Sequence, residues 1–249
     1  MRPVTDIHTH TIASGHAYGT VREMAAAAAE TGLELLGISE HAPGIPGTCH
    51  PFYFANLSAI PRYLHGIPVI HGSEVNVLDD GTLSLEERFL SCLDYAIAGI
   101  HLNCYRDQGK KKNTENLISC MKHPKISFVS HPDSDLMPLD YDALTDAALE
   151  YHVALEVNES SLLNPEARPG CFDNYRTMLA LCRAKGVCIV TDSDAHDPSA
   201  VGRLELCAQL LEETDFPEKL VLSTSKERIL SFIGLDELTL DNPKFNTIP

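Results

Sequence analysis

The sequence of 249 residues predicts one parallel α/β domain, either a βα barrel or a doubly wound sheet. Seven short runs of nearly continuous apolar character, as buried parallel strands have, alternate with helix-like stretches along the chain. The connections between these stretches are short, and no low-complexity linker interrupts them, which favours one fold throughout. We therefore predict a single domain over residues 1–235 and, since periodicity fades after it, a C-terminal tail over residues 236–249.

The individual elements follow from apolar runs and turn signals. The predicted strands are residues 4–8, 33–39, 67–75, 94–101, 126–131, 153–160 and 186–196. The predicted helices are residues 20–32, 84–93, 113–123, 140–151, 172–186 and 198–213. Thr20 and Asp140 are suitable helix N-caps, Gly32 and Gly186 are suitable C-terminal glycines, and Pro198 suits the first turn of a helix.

Composition excludes several classes of protein. The formal net charge of −16 argues against duplex nucleic acid as a direct partner, because binding to phosphates needs clustered Lys and Arg. Eight cysteines are scattered without a C-x-x-C pair, which predicts reduced core residues rather than a disulfide framework. No apolar run reaches the length of about eighteen residues that a membrane helix needs, and the first residues lack a secretory signal pattern. We expect a cytoplasmic protein that binds no membrane.

Histidines and carboxylates recur at the C-terminal ends of the predicted strands. They are His8, His10, His41, Glu74, His101, His131, Asp194 and His196, and His16 joins them from the first loop. Strand ends of an α/β barrel converge on one face, so residues far apart in sequence are expected to meet there. Residues two apart on a strand share a face, which groups His8 with His10 and Asp192 with Asp194 and His196.

This set of side chains predicts a metal site. A single histidine in a strand is usually a core residue, but an ordered series of imidazoles with a few carboxylates suits Zn, Mn or Fe, and a carboxylate can bridge two ions. His71 projects opposite Glu74 and is excluded. Glu156 and Asn158 point where the ligands point, as packing residues or as partners of ligands or substrate. Arg168 and Arg203 are candidates for phosphate contacts or surface residues.

The order of these motifs resembles the PHP family, the polymerase and histidinol phosphatase superfamily, and within it the stand-alone three-metal phosphoesterases. The resemblance covers roughly residues 4 to 233. It rests on "HTHT" from His8, "EH" ending at His41, the glutamate of "GSEVN", "GIH", "SHP" and "DAH" ending at His196. Glu40 stands before His41 where many relatives carry Asp.

The resemblance implies a distorted seven-stranded βα barrel that holds three divalent ions at the C-terminal ends of its strands, with zinc preferred over manganese or iron. The implied ligands are His8, His10, Glu74 and Asp194 for the first ion, Glu74, His101 and His131 for the second, and His16, His41 and His196 for the third. Glu74 would bridge the first two ions.

The resemblance also implies hydrolysis of a small phosphomonoester. A hydroxide generated on the bridged ions would attack phosphorus, while the third ion would bind a phosphate oxygen. Asp192 is expected to orient a ligand imidazole or to donate a proton to the leaving oxygen. The alternatives are a histidinol-phosphate phosphatase, a PHP-type nuclease and a metal-binding domain without turnover.

Overall fold

The computed structural model describes residues 1–236, in which seven parallel strands form a nearly closed barrel and helices alternate with them. The predicted α/β barrel is confirmed, and the doubly wound alternative is wrong. The barrel strands, in chain order, are β1 (Thr5–Asp6), β2 (Leu35–His41), β4 (Ile67–Asn76), β5 (Tyr95–Gly99), β6 (Ile126–Val129), β7 (Ala154–Asn158) and β8 (Ile189–Asp192). Adjacent strands in this order pair in parallel.

Each predicted strand has a counterpart, but the bounds differ. The strand β3 (Tyr63–Leu64) was not predicted; it is two residues long and pairs antiparallel with β4. The last barrel strand ends at Asp192, whereas the prediction continued to His196. The alternation of faces therefore stops at Asp192 and does not govern the residues that follow it. Most of the predicted tail, from residue 237 onward, lies outside the described residues.

The helices of the described chain are α1 (Val21–Thr31), α2 (Phe52–Ala55), α3 (Glu87–Leu90), α4 (Lys110–Met121), α5 (Tyr141–Tyr151), α6 (Glu159–Leu163), α7 (Cys171–Lys185), α8 (Glu205–Glu213) and α9 (Lys226–Phe232). The sequence did not indicate α2, α6 or α9. The predicted helix over residues 198–213 is a 3-10 turn, Pro198–Ala200, followed by α8. Among these residues, no helix combines the length and apolar character needed to cross a membrane.

The predicted helix ends are confirmed where the structure records them. Thr20 caps α1 in a reciprocal pair with Glu23, and Asp140 accepts two backbone N–H groups at the start of α5. Gly32 and Gly186 end α1 and α7 with φ of 76° and 77°, a conformation that side chains disfavour.

The lower interior of the barrel is filled by Tyr95. A Cβ at Gly72 would lie 2.6 Å from Tyr95 Cζ, and one at Gly37 would overlap the Tyr95 hydroxyl, so both strands need glycine beside this ring. The Tyr95 hydroxyl donates to the Ile7 carbonyl at 2.5 Å. This layer of the barrel interior is therefore packed.

Side chains, rather than a regular ladder, close the barrel between β1 and β8. Asp192 Oδ1 accepts the Ile7 N–H at 2.6 Å, and Asp6 accepts the Ser193 N–H at 3.1 Å. A bridge between Thr9 and Ala195 continues this contact. Burial raises the pKa of Asp6 to about 6, and burial together with the Asp6 and Glu156 carboxylates raises that of Asp192 well above its ordinary value.

The first prediction concerns this closure. Asp192→Ala removes the acceptor of a buried N–H group and should lower the free energy of unfolding by about 1–3 kcal/mol. Asp192→Asn keeps an acceptor and removes one of two neighbouring carboxylates, so it should be tolerated better. A raised carboxyl pKa in the folded state opposes folding of the wild type as pH rises from the unfolded value, near 4, to the folded one, so Asp192→Asn, which lacks this carboxyl, should gain stability relative to the wild type across that window.

Urea unfolding of the metal-free protein between pH 4.5 and 7.5 measures both effects. An Asn variant as unstable as the Ala variant at every pH would contradict this account of the closure.

Candidate metal centre

All nine residues predicted as metal ligands lie together at the C-terminal end of the barrel. The strand ends and the loops after them supply His8, His10, His16, His41, Glu74, His101, His131, Asp194 and His196. Three groups within this set have ligand atoms within 4.8 Å of one another: His8, His10 and Asp194; His41, Glu74 and His101; and His10, His41 and His196. The site is therefore a cluster and not a single binding position.

Glu74 stands at the centre of the cluster, and its two carboxylate oxygens face different imidazoles. Oε1 lies 3.0 Å from His101 Nε2 and 2.9 Å from His131 Nε2. Oε2 lies 3.3 Å from His8 Nε2 and 2.9 Å from His41 Nδ1. A fully buried carboxylate whose oxygens point to opposite sets of nitrogen atoms has the geometry of a bridging ligand.

Asp194 completes the deepest group. Its Oδ1 lies 3.2 Å from His10 Nε2 and 3.5 Å from His8 Nε2, while these two nitrogens are 3.1 Å apart. His10 also lies 3.6 Å from Glu74 Oε2. Two imidazoles and two carboxylates thus surround one point at the base of the site.

The outer part of the cluster consists of imidazoles. His16 Nε2 and His196 Nε2 are 3.1 Å apart, and the His41 ring stacks on His16 with centroids separated by 5.0 Å. His10 approaches His196 with centroids 4.4 Å apart, which links the deep and outer groups. His16 is exposed, so this part of the site faces the solvent.

Backbone and side-chain acceptors fix the tautomers of several imidazoles. The Nδ1–H groups of His8 and His101 donate to Glu156 at 2.6 Å and to Asn76 Oδ1 at 2.7 Å. His196 Nδ1–H donates to the Asp194 carbonyl at 2.9 Å. When Nδ1 carries the proton, the Nε2 lone pair is free to bind a metal, as metal-ligating histidines require.

The atoms that face the centre fit a cation. Glu74 Oε2, His41 Nδ1 and Asp194 Oδ1 are buried, and none of them receives a hydrogen bond from residues 1–236. Such groups are costly to bury unless a partner satisfies them. Nitrogen and carboxylate donors directed at shared points are the ligand chemistry of divalent transition metals, so this cluster is a divalent-metal site.

The electrostatics agree with this donor set. Burial alone would raise the pKa of Glu74 and Asp194, but the surrounding imidazoles hold both well below their ordinary values. Burial and the neighbouring imidazoles of His41 and His196 lower the pKa of His10 well below its ordinary value. Charged carboxylates and a neutral imidazole are the protonation states that bind metal.

Glu156 connects two of the ligands through one carboxylate. Oε1 accepts His8 Nδ1–H, and Oε2 accepts the His131 backbone N–H at 2.6 Å. Asn158 donates to Glu156 at 3.1 Å and to Asp194 Oδ2 at 3.3 Å. The sequence left open whether Glu156 and Asn158 are packing residues or partners of ligands or substrate. In the structure both contact predicted ligands. Asp192 was expected to orient an imidazole, but the residue on the His8 imidazole is Glu156.

Several supporting residues had no clear signal in the sequence. Ser14 accepts His10 Nδ1–H at 3.1 Å, accepts the His41 N–H at 3.0 Å and donates to Glu40 Oε2 at 2.6 Å. Ser130 donates to Glu74 Oε1 at 2.7 Å. Asn76 lies two residues after Glu74 on β4, so alternation could have found it, whereas Ser14 ends a 3-10 turn, Ile12–Ser14, whose position only the fold decides.

Backbone geometry at the site is unusual in three places. His131 and Asp194 have positive φ angles of 30° and 54°, which are uncommon for residues with side chains. A Cβ at Gly99 would lie 2.8 Å from both Glu74 Oε1 and His101 Cε1. The backbone thus turns sharply at His131 and Asp194, and Gly99 leaves space for the side chains of Glu74 and His101, so that the predicted ligands converge.

The remaining candidates are placed differently. Arg168 lies at the site, where its Nη2 donates to the His131 carbonyl and pairs with Asp133 Oδ1, both at 2.7 Å. Arg203 is exposed and donates to the Ser199 carbonyl, away from the cluster. His71 is buried on the opposite face of β4, as expected.

A cavity of about 230 Å³ opens beside the cluster. The predicted ligands His16, His41, His101 and His131 form one part of its wall. A small molecule in this cavity would lie directly against the metal ligands, so the site has both a centre for chemistry and a place for a substrate.

Comparisons with known proteins agree with this geometry. The family model described as "PHP domain" matches residues 6–160. The chain is 38% identical over 234 residues to a protein of Acetivibrio thermocellus named "Probable phosphatase", covering 94% of this chain and 96% of that one. A "Probable phosphatase" of Clostridium acetobutylicum is 35% identical over 234 residues, covering 94% and 95%.

Among solved structures, the fold is similar to histidinol phosphate phosphatase from Lactococcus lactis, a structure complexed with zinc, L-histidinol and phosphate. The TM-score is 0.60 at 18% identity, and the match covers 87% of this chain and 95% of that one. At this identity the similarity concerns the fold.

The second prediction concerns Glu156. Glu156→Gln keeps the volume but loses the charge and one of two acceptors, so metal affinity should fall by about 10–100-fold, as for other partners of ligand histidines. Competition with a chromophoric chelator measures this affinity. The control is Glu159→Gln, because this buried carboxylate accepts the backbone N–H groups of Leu206 and Cys207 instead. Equal affinity in both variants would exclude the role assigned to Glu156.

Proposed function

The chain belongs to the PHP domain family, and on this premise we propose that it is a metal-dependent phosphatase that hydrolyses a small phosphomonoester at a three-metal site. The observation that carries the proposal is the division of the Glu74 oxygens between two sets of imidazoles beside an open cavity. The names of the relatives support the same reaction class.

We assign the ions as the resemblance to the family implies. His8, His10, Glu74 and Asp194 would hold the first ion, Glu74, His101 and His131 the second, and His16, His41 and His196 the third. The proximity of His16 Nε2 to His196 Nε2 supports the third group. His10 also lies close to His196, so it is the residue through which the first and third groups would influence each other. Zinc is the preferred ion, with manganese or iron as alternatives.

Bound divalent ions would supply a nucleophile at neutral pH and would offset the charge that develops on the phosphate. The chain supplies the position of these groups. Glu74, held by the Ser130 hydroxyl, fixes the spacing of the first two sets of ligands. The carboxylate of Glu156 accepts hydrogen bonds from the His8 imidazole and the His131 backbone N–H, and so positions both residues relative to each other.

Asp192 has a positioning role in this proposal. Its side chain is 1% exposed, and it binds the N–H of Ile7, the residue before His8. A proton donor to a leaving group must reach the substrate, and this carboxylate is enclosed below the ligands. We therefore assign Asp192 to the placement of the first strand and not to proton transfer.

The third prediction tests the reaction. The purified protein should contain about three divalent ions per chain and hydrolyse an aryl phosphate, lose activity on chelation and regain it with Zn or Mn. Plasma mass spectrometry and a colorimetric assay provide the two readouts. Full metal content without hydrolysis of any phosphoester would contradict the proposal and favour a metal-binding domain without turnover. Preferential cleavage of a labelled oligonucleotide would favour the nuclease alternative.

The fourth prediction tests the ligand assignment. Glu74→Ala should lower the occupancy of two ions, because both of its oxygens are lost, whereas His16→Ala should lower mainly one. Metal content is measured on folded protein, verified by circular dichroism. Full occupancy in Glu74→Ala, or an equal loss in the two variants, would refute the bridging assignment.

A further inference from the structure

We propose that the cavity beside the metal ligands binds the organic part of the substrate, and that this part is a small uncharged hydrocarbon group. The inference deepens the proposed function, because it names the class of phosphomonoester that the same site would accept. It rests on the composition of the cavity wall, on the pairing of its charges and on its size.

Much of the cavity wall other than the histidines is apolar. The side chains there are Ile45, Ile100, Leu102, Leu117, Leu136, Met137 and Leu139. Leu117 and Leu139 are buried, whereas Leu102 and Leu136 are 67% and 46% exposed at the mouth. Exposed leucines at the entrance of a cavity leave apolar surface in contact with water. A hydrocarbon group that covered them would remove this surface from water, which favours binding.

The charges in the wall are paired with each other. Within the described chain, the Asp and Arg side chains that line the cavity are Asp133 and Arg168, and no Lys or Glu lines it. Arg168 Nη2 lies 2.7 Å from Asp133 Oδ1, and Asp133 has no exposed side-chain area. An ammonium or carboxylate on the substrate would therefore compete with the partner that Asp133 or Arg168 already has, which disfavours its burial.

The polar partners in the wall are also few. Ser130 donates to Glu74, Ser134 Oγ accepts the Leu136 backbone N–H at 3.2 Å, and Asn103, the amide of the wall, is exposed. A polyhydroxylated group such as a sugar would leave several hydroxyls without partners, and each such loss reduces binding. The volume of about 230 Å³ is below the range of about 300–1,000 Å³ that is typical of pockets for drug-sized ligands. A compact group fits this space better than a nucleoside.

The experiment uses alkylphosphonates, whose carbon–phosphorus bond is not hydrolysed by a phosphatase. Binding of the series from methyl- to pentylphosphonate to the metal-loaded protein is measured by calorimetry. The dissociation constant should fall about fourfold for each added methylene until the cavity is filled, and then level off. 2-Aminoethylphosphonate and 2-carboxyethylphosphonate should bind no more tightly than methylphosphonate. A flat series, or tighter binding of either charged compound, would overturn the inference.

A matched pair of variants links the effect to this wall. Leu136→Gln at the mouth should weaken butylphosphonate binding by about fourfold and leave methylphosphonate unchanged. Leu149→Gln is the control, because Leu149 is likewise exposed, at 58%, but lies on α5 and does not line the cavity. Both substitutions are at the surface, so folding is not expected to change. Equal effects of the two variants on butylphosphonate would contradict the assigned wall.

The two proposals fail in different ways. Steep dependence on chain length without hydrolysis of any phosphomonoester would refute the proposed function and support the apolar subsite. Hydrolysis of phosphomonoesters with a flat phosphonate series would support the function and refute the subsite.

Discussion

The buried carboxylate of Glu74 is the constraint on which the arrangement of the site depends. An ionised carboxylate without solvent is costly unless charged or hydrogen-bonded partners surround it. Here four imidazoles and the Ser130 hydroxyl lie within 3.3 Å of its two oxygens. Those partners come from four different strands or strand ends, so the barrel must bring them together for the carboxylate to be tolerated. Cations bound between these groups would remove the remaining cost.

The same requirement explains where the barrel is irregular. Between β1 and β8 the Asp192 and Asp6 carboxylates replace a regular ladder, and the chain then turns through positive φ at Asp194. A continuous strand would place Asp194 and His196 on the face of Asp192, whose carboxylate binds the Ile7 N–H. Ending the strand early allows Asp194 and His196 to face the cluster from above. The uncommon and energetically unfavourable backbone conformation at Asp194 thus occurs where it directs predicted ligands towards the cluster.

The site combines two environments that suit a phosphate ester. The histidine cluster, once it holds cations, attracts the phosphate even though the chain carries a formal net charge of −16. The cavity beside it has a largely apolar wall, in which Arg168 and Asp133 offset each other. In the proposed phosphatase, recognition of the phosphate would depend on the metals, whereas selection among organic groups would depend on shape and burial of hydrocarbon.

The sequence by itself determined the α/β class, the succession of strands and helices along the chain and the set of His and acidic residues that the structure brings together, because apolar periodicity and the position of these residues at strand ends are local properties. It could not distinguish a barrel from an open sheet, since both share that periodicity. Only the tertiary structure decided that Glu156 contacts His8, that Ser14 joins His10 to His41, and that Arg168 pairs with Asp133. The contact between Ser14 and His10 is local, whereas the others join residues far apart in the chain. The distances of those long-range contacts depend on how the strands are staggered.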